Sequence, residues 1–446
     1  MNTRINLDHA SSTPLLPEVK QVMAAMEEGN PSSIHQAGQR AKQRLEQARK
    51  QVALLINAKP EEIYFTSCGT ESNNWALRGL FAANKRKGNS LDSLRSLGTP
   101  PPGQTRGAPH LIISAIEHPS VSLVARRLEL DGNAKVSILP VDAEGVVQPS
   151  ALKAAMTPQT VLVSIMLANG EVGTIEPIKE LAAIAHEQGA LFHTDAVAAV
   201  GSIPVDVKAL GVDALSLAAN QFGGPQGAAA LFVRDGVRIL PLLEGGGQET
   251  GGRSGTESLS AIVGLAAAAG VATRDLPQRS ERIRRLRDRL HDGLKERIEG
   301  LRVSGPLDFR RVARSGGPQP PERTTPIVRR REDGWGRAAT GPVESHEYGR
   351  LPHNLHVCID GVSSESLVLG LDAEGIAAGL GSACNSKAMR PSHILKAMGL
   401  SDEEAKGALV LTLGATTTDA EIDRALEMIP SVVQRVRNVT TLTMRS

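Results

Sequence analysis

Between residues 60 and 235, seven short apolar runs alternate with longer stretches of helical period, and this alternation narrows the possible folds more than any other feature of the chain. The runs are IYFTS (63–67), HLIISA (110–115), KVSILP (135–140), TVLVSIM (160–166), LFHTDA (191–196), ALSLAA (214–219) and AAALFVR (228–234). Between two of them, the segment from Pro177 to Gln188 sets Ile178, Leu181, Ile184 and Ala185 on one helical face. Strands that are apolar along their whole length need cover on both faces, and intervening helices supply it. The expectation is an α/β protein with a mainly parallel seven-stranded sheet flanked by helices. With 41% hydrophobic but only 2% aromatic residues, its core must be built from aliphatic side chains. In such sheets ligands sit beyond the carboxyl ends of the strands, so chemistry is sought just after each run.

After about residue 265 the texture changes to a long charged helix (279–300), an irregular stretch, and a compact segment from Leu351 onward. The expected organisation is a large α/β domain over 15–264 and a smaller α+β domain built from 1–14 and 265–446. Two segments, about 84–109 and about 306–350, lack apolar periodicity and read as exposed insertions. The second holds Arg329, Arg330 and Arg331 near Trp335 and Tyr348, which suits either a solvated linker or a docking arm for an acidic partner.

Fifty Lys+Arg against 48 Asp+Glu leave a net charge of +2, too balanced to gather nucleic acid or anionic lipid by bulk electrostatics. No run of apolar residues reads as a bilayer span, and the first residues, MNTRINLDHASSTP, do not resemble a secretory signal. Three cysteines without a CxxC pair argue against a disulfide framework or a thiolate metal site. A cytoplasmic protein with no nucleic-acid or membrane partner is expected.

Several residues are placed to carry chemistry. In TSCGTESNN (66–74), Gly69 and Thr70 follow a strand and open a helix, where free N–H groups and the helix dipole favour a phosphate; the pair also makes an ordinary turn. Asp195 ends a strand, facing a ligand or capping the next helix. His118 follows HLIISA, as a catalyst or a structural hydrogen bonder. The turn GGGQETGGRSGTES (245–258) supplies Arg253, Ser254 and Thr256 and allows close approach of a ligand or another subunit. Cys384, in GLGSACNSK, lies in a small, polar, glycine-flanked loop; it suits a reactive thiol better than Cys68 or Cys358 do, with an inert surface cysteine as the alternative.

Taken together, LDHASSTP (7–14), GNPSSIHQAGQRAK (29–42), IYFTSCGTESNN (63–74), EHPSV (117–121), NGEVGT (169–174), HTDA (193–196), GGGQE (245–249), RSGT (253–256) and GSAC (381–384) resemble the cysteine desulfurases. These are pyridoxal-phosphate (PLP) enzymes of the class V aminotransferase fold, within fold type I of the PLP-dependent transferases. The resemblance implies a homodimer, sulfur transfer to an acceptor or iron–sulfur scaffold protein, and work in iron–sulfur cluster assembly or tRNA thiolation. It places the cofactor phosphate on Gly69 and Thr70 with Thr256 from the partner subunit, His118 on the ring face, Asp195 at the ring nitrogen, and a persulfide on Cys384. A carboxylate beside the pyridine nitrogen keeps it protonated and so makes the ring an electron sink.

At the family's Ser-(Ala/Gly)-His-Lys motif this chain reads LAANQFGGPQG (217–227), with Asn220 at the histidine and Gln221 at the lysine. An amide nitrogen, whose lone pair is delocalised, can neither form the Schiff base to PLP nor shuttle the substrate proton. Val410 stands where the family has an arginine that clamps the substrate carboxylate, and valine offers no donor. Ala198 and Ala218 replace polar cofactor contacts; Gly170 replaces an asparagine unless the adjacent Asn169 serves. Lys387 lies on the Cys384 loop, where a Schiff-base amine would be poorly fixed. The expectation is a degenerate family member with lost or altered desulfurase chemistry, the alternatives being an enzyme that binds PLP non-covalently and a non-catalytic dimeric scaffold or regulatory protein.

Overall fold

The computed structural model describes residues 4–26, 29–84, 108–306, 349–380 and 391–443; Cys384, Lys387, the Arg329–Arg331 cluster, Trp335 and Tyr348 lie outside them. Its strands are β1 (Ile5–Leu7), β2 (Ile63–Thr66), β3 (His110–Ser114), β4 (Lys135–Leu139), β5 (Thr160–Ser164), β6 (Leu191–Asp195), β7 (Ala214–Ala218), β8 (Ala229–Val233), β9 (Leu301–Val303), β10 (Asn354–Ile359), β11 (Ile376–Ala378) and β12 (Ala408–Thr412). Seven of them form one sheet in the order β2-β8-β7-β6-β5-β3-β4. Only β8 runs against its neighbours, so the sheet is mainly parallel as expected. Every residue of β3, β5, β6, β7 and β8 is buried, which is why these segments read as unbroken apolar runs. The edge strand β4 instead leaves Lys135 and Ile138 exposed.

One structural element departs from the sequence reading. The charged helix expected over 279–300 is the second half of a single 39-residue helix, Leu259–Arg297. Its Ala/Gly-rich first half packs on the helices Pro17–Ala24 and Gln36–Leu55, burying Leu265, Ala268, Ala269 and Ala272. Its second half buries Ile283, Leu286, Leu290 and Leu294 in another cluster, with Leu7, Val357, Ile376, Leu409 and the inner face of the helix Asp419–Thr443. The first half is also long and apolar enough, by composition, to cross a bilayer, a property missed in the sequence; half of that window is buried within the fold.

The second cluster is covered by a three-stranded antiparallel sheet, β12-β10-β9, and by the parallel pair β1-β11. Bridges from Asp8 to Thr412 and from Gly379 to Val410 join the two. Beyond β1 the chain crosses to the large sheet, where Thr13 N–H donates to Asn220 O at 2.9 Å and Leu16 N–H to Gly223 O at 3.0 Å. This crossing lays residues 8–16 over the end of β7.

Arg350 fastens the two stems of the second insertion. Its Nε donates to Pro306 O at 2.8 Å and its Nη2 to Ser304 O, while Ile175 N–H donates to Gly349 O at 3.2 Å. The guanidinium is buried among carbonyls with Arg287 close by, and burial first, then that like charge, push it down to about 9.

Because one helix feeds both clusters, truncation at either end should be costly. Leu265→Ala and Leu290→Ala, both fully buried, are each expected to lower unfolding free energy by about 2–5 kcal/mol. Urea denaturation checks this; a loss confined to one variant would mean that the helix packs closely in only one of its halves.

Candidate active site

The carboxyl ends of the large sheet open into a cavity of about 480 Å3. Five of the seven strands deliver residues from their ends: Gly69 and Thr70 after β2, His118 after β3, Asn169 after β5, Asp195 at the end of β6, Asn220 and Gln221 after β7. Val410 of β12 and the chain crossing at Asp8 and Ala10 close the other side. Thus Gly69, Thr70, His118, Asn169, Asp195, Gln221 and Val410, far apart in sequence, line one space. Thr256 does not; it is exposed in the loop before the long helix. In that same loop Arg253 Nε donates to Glu71 Oε1 at 2.8 Å, which ties RSGT to the helix that Gly69 opens.

Gly69 is required by packing as well as by its N–H group. A side chain there would meet Val197 Cγ2 at 2.7 Å, and the first helical residues leave their N–H groups without intrahelical acceptors. One helical turn on, Asn73 points the same way, and its Nδ2 donates to Asp195 Oδ2 at 2.6 Å and to Ser120 Oγ at 2.8 Å. Ser120 Oγ in turn lies 2.7 Å from His118 Nδ1, which also accepts from Ser120 N–H at 3.1 Å. Asp195 Oδ1 accepts from Val197 N–H at 3.0 Å. Burial raises the Asp195 carboxyl, opposed by its bonds from Val197 and Asn73. Asn73 and Ser120 went unnoticed in the sequence, although the four-residue step from Gly69 to Asn73 was the available signal.

The side chain of Asn169 is engaged with backbone. Its Oδ1 accepts from Glu171 N–H at 2.9 Å and Val172 N–H at 3.1 Å, and its Nδ2 donates to Ile116 O at 3.1 Å. This shapes the turn that presents Glu171 to the cavity. Burial pushes the Glu171 carboxyl up to about 7 and that of the fully buried Glu117 to about 8. Neither glutamate stands out in the sequence, where a buried acid reads like a surface acid.

Gln221, expected from the sequence at the lysine position, lies on the short turn Ala219–Gln221, and its Nε2 donates to Ala10 O at 2.9 Å. Among the described residues lining the cavity there is no lysine or arginine. The groups that would hold PLP without a covalent link are the N–H groups of Gly69 and Thr70, the buried Asp195 and the His118 ring, which line one cavity. For the covalent half, no described lining residue carries an amine, and the Gln221 amide already donates to a carbonyl. The described residues do not fit PLP as a Schiff-base cofactor.

A mainly parallel sheet with one reversed strand, its cavity capped by a small antiparallel sheet, defines the PLP-dependent transferase architecture. The model for class-V aminotransferases matches residues 5–94 and 102–313. A cysteine desulfurase IscS of Clostridium botulinum is 38% identical over 445 residues, covering 99% of this chain and 97% of that protein. A cysteine desulfurase IscS of Methanosarcina thermophila is 40% identical, covering 99% and 95%. The solved structure of a NifS-like protein superposes with a TM-score of 0.77 at 30% identity, covering 97% of this chain and all of the other. The chain belongs to the class-V aminotransferase family, in its cysteine desulfurase branch.

Glu117 provides a pH test of the site's burial. Its carboxyl is raised from 4.5 to about 8, first by desolvation and also by nearby Asp195, against bonds from Ser114 and Met166. A raised folded-state value means that its contribution is complete below 4.5 and is lost as pH climbs towards about 8. Measured by denaturation across that range, wild-type stability relative to Glu117→Gln is expected to fall steadily as pH rises. A difference independent of pH would show that Glu117 is solvated.

Proposed function

We propose that this chain is a cysteine desulfurase-like protein of sulfur transfer, in iron–sulfur cluster assembly or tRNA thiolation, that has lost the covalent PLP cycle. The observation that carries the reading is the Gln221 amide held by Ala10 O, at the position where the resemblance expects the lysine. An amide cannot form the Schiff base or move the substrate proton. Val410 supports it: buried in the wall, it gives a substrate carboxylate no donor. The retained RSGT segment and Cys384 suit a homodimer in which Thr256 reaches the partner's site and the thiol carries sulfur to an acceptor or scaffold protein. Such a protein acts as a relay or regulatory partner rather than as the source of persulfide.

A second reading has its own support in the Gly69, Asn73, Asp195 and His118 frame: non-covalent PLP binding with another base. PLP titration separates the two. A yellow colour that survives dialysis and changes on adding an amino acid favours the enzyme, and an absence of binding removes it.

For the main reading, sulfide release from L-cysteine, assayed with PLP and a reductant, is expected to match a Cys384→Ala control. Release above that control overturns the proposed loss. The double variant Gln221→Lys with Val410→Arg is expected to develop, with added PLP, a visible band that borohydride bleaches. A colourless double variant would place the lesion elsewhere in the pocket.

A further inference from the structure

Three carboxyl side chains, those of Asp8, Glu171 and Asp195, line the described wall of the cavity, and no lysine or arginine faces them there. Two are engaged: Asp195 by Asn73 and Val197, and Asp8 by the Ser11 hydroxyl at 2.8 Å. Glu171 differs. It is 8% exposed, and although the Ser392 side chain bonds the carboxyl, its Oε1 has no hydrogen-bond partner among the described residues. His356 Nε2 faces it at 4.0 Å, beyond hydrogen-bond reach, and burial keeps that ring neutral. A buried carboxyl oxygen without a donor is costly to leave unmatched. Directly across the β10–β12 ladder from His356 stands Val410, buried and on the cavity wall.

We infer that this cavity selects small primary amines that lack a carboxylate, the ammonium donating to Glu171 Oε1 and Val410 turning carboxylates away. An ammonium carries three N–H donors and forms a charge-assisted bond with a carboxyl oxygen, which supplies what Glu171 lacks. Beside Glu171 and Val410 a carboxylate meets an acid and an apolar side chain, so it loses its water without gaining a donor from either. The inference rests on the reading that the Schiff-base lysine is lost, since a covalently held cofactor would occupy this volume.

Isothermal titration of the full chain under reducing conditions with cysteamine, L-cysteine and 2-mercaptoethanol tests it, because these thiols differ in the amine and the carboxylate. Cysteamine is expected to bind at least about tenfold more tightly than either of the others. Glu171→Gln removes that advantage, and Val410→Arg raises L-cysteine to parity or better. L-cysteine binding the wild type as tightly as cysteamine overturns the inference, as does an absence of cysteamine binding, and neither result depends on a variant folding. Cysteamine affinity unchanged in a Glu171→Gln protein of native circular dichroism overturns the assignment to Glu171. Sulfide release from L-cysteine is a separate failure, that of the functional reading beneath it.

Discussion

Much of this molecule follows from one constraint: a parallel sheet whose strands are buried on both faces cannot place polar function along their length. Every residue of β3, β5, β6 and β7 is buried, and the polar side chains among them are paired internally. His193, for example, sits between the hydroxyls of Ser164 at 2.9 Å and Ser216 at 3.0 Å. Chemistry is left to the rim, where chain direction brings the ends of β2, β3, β5, β6 and β7 to one side. The cavity is a product of strand polarity as much as of the residues that line it.

That constraint also explains what could be read beforehand. Buried strands are short, continuous and apolar, so their positions and the rim residues after them stood out in the sequence. The site residues that escaped act at second hand: Asn73 orients Asp195, and Ser120 links Asn73 to His118. Their partners are decided by tertiary approach, which a single chain of letters does not display. The long helix escaped for a different reason. Its first half is Ala- and Gly-rich with little polar contrast, and Pro277 resembles a stop signal, so only the charged second half has a legible period.

On the reading that Gln221 takes the lysine's place, one residue alters the meaning of its neighbours in the cavity. With a lysine at 221, an acid such as Asp195 would belong to a balanced site. With Gln221 tied to Ala10 O, the described wall holds acids and imidazoles around an apolar Val410. The fold is that of the desulfurase branch, while the described lining of the cavity is rich in acceptors. Shape and charge have separated, and shape is what overall similarity measures.

The fastening at Arg350 has a consequence for how the chain tolerates change. Pro306 and Gly349 are held at their places by buried hydrogen bonds to Arg350 and Ile175, so the core does not rely on whatever joins them to bring those ends together. The entropy of closing a loop grows only slowly with its length. The junction therefore behaves as a socket: sequence of very different size or composition can be accepted between the two stems while the sheet and cavity keep their form. A chain built this way can acquire or exchange a recognition module without renegotiating its fold.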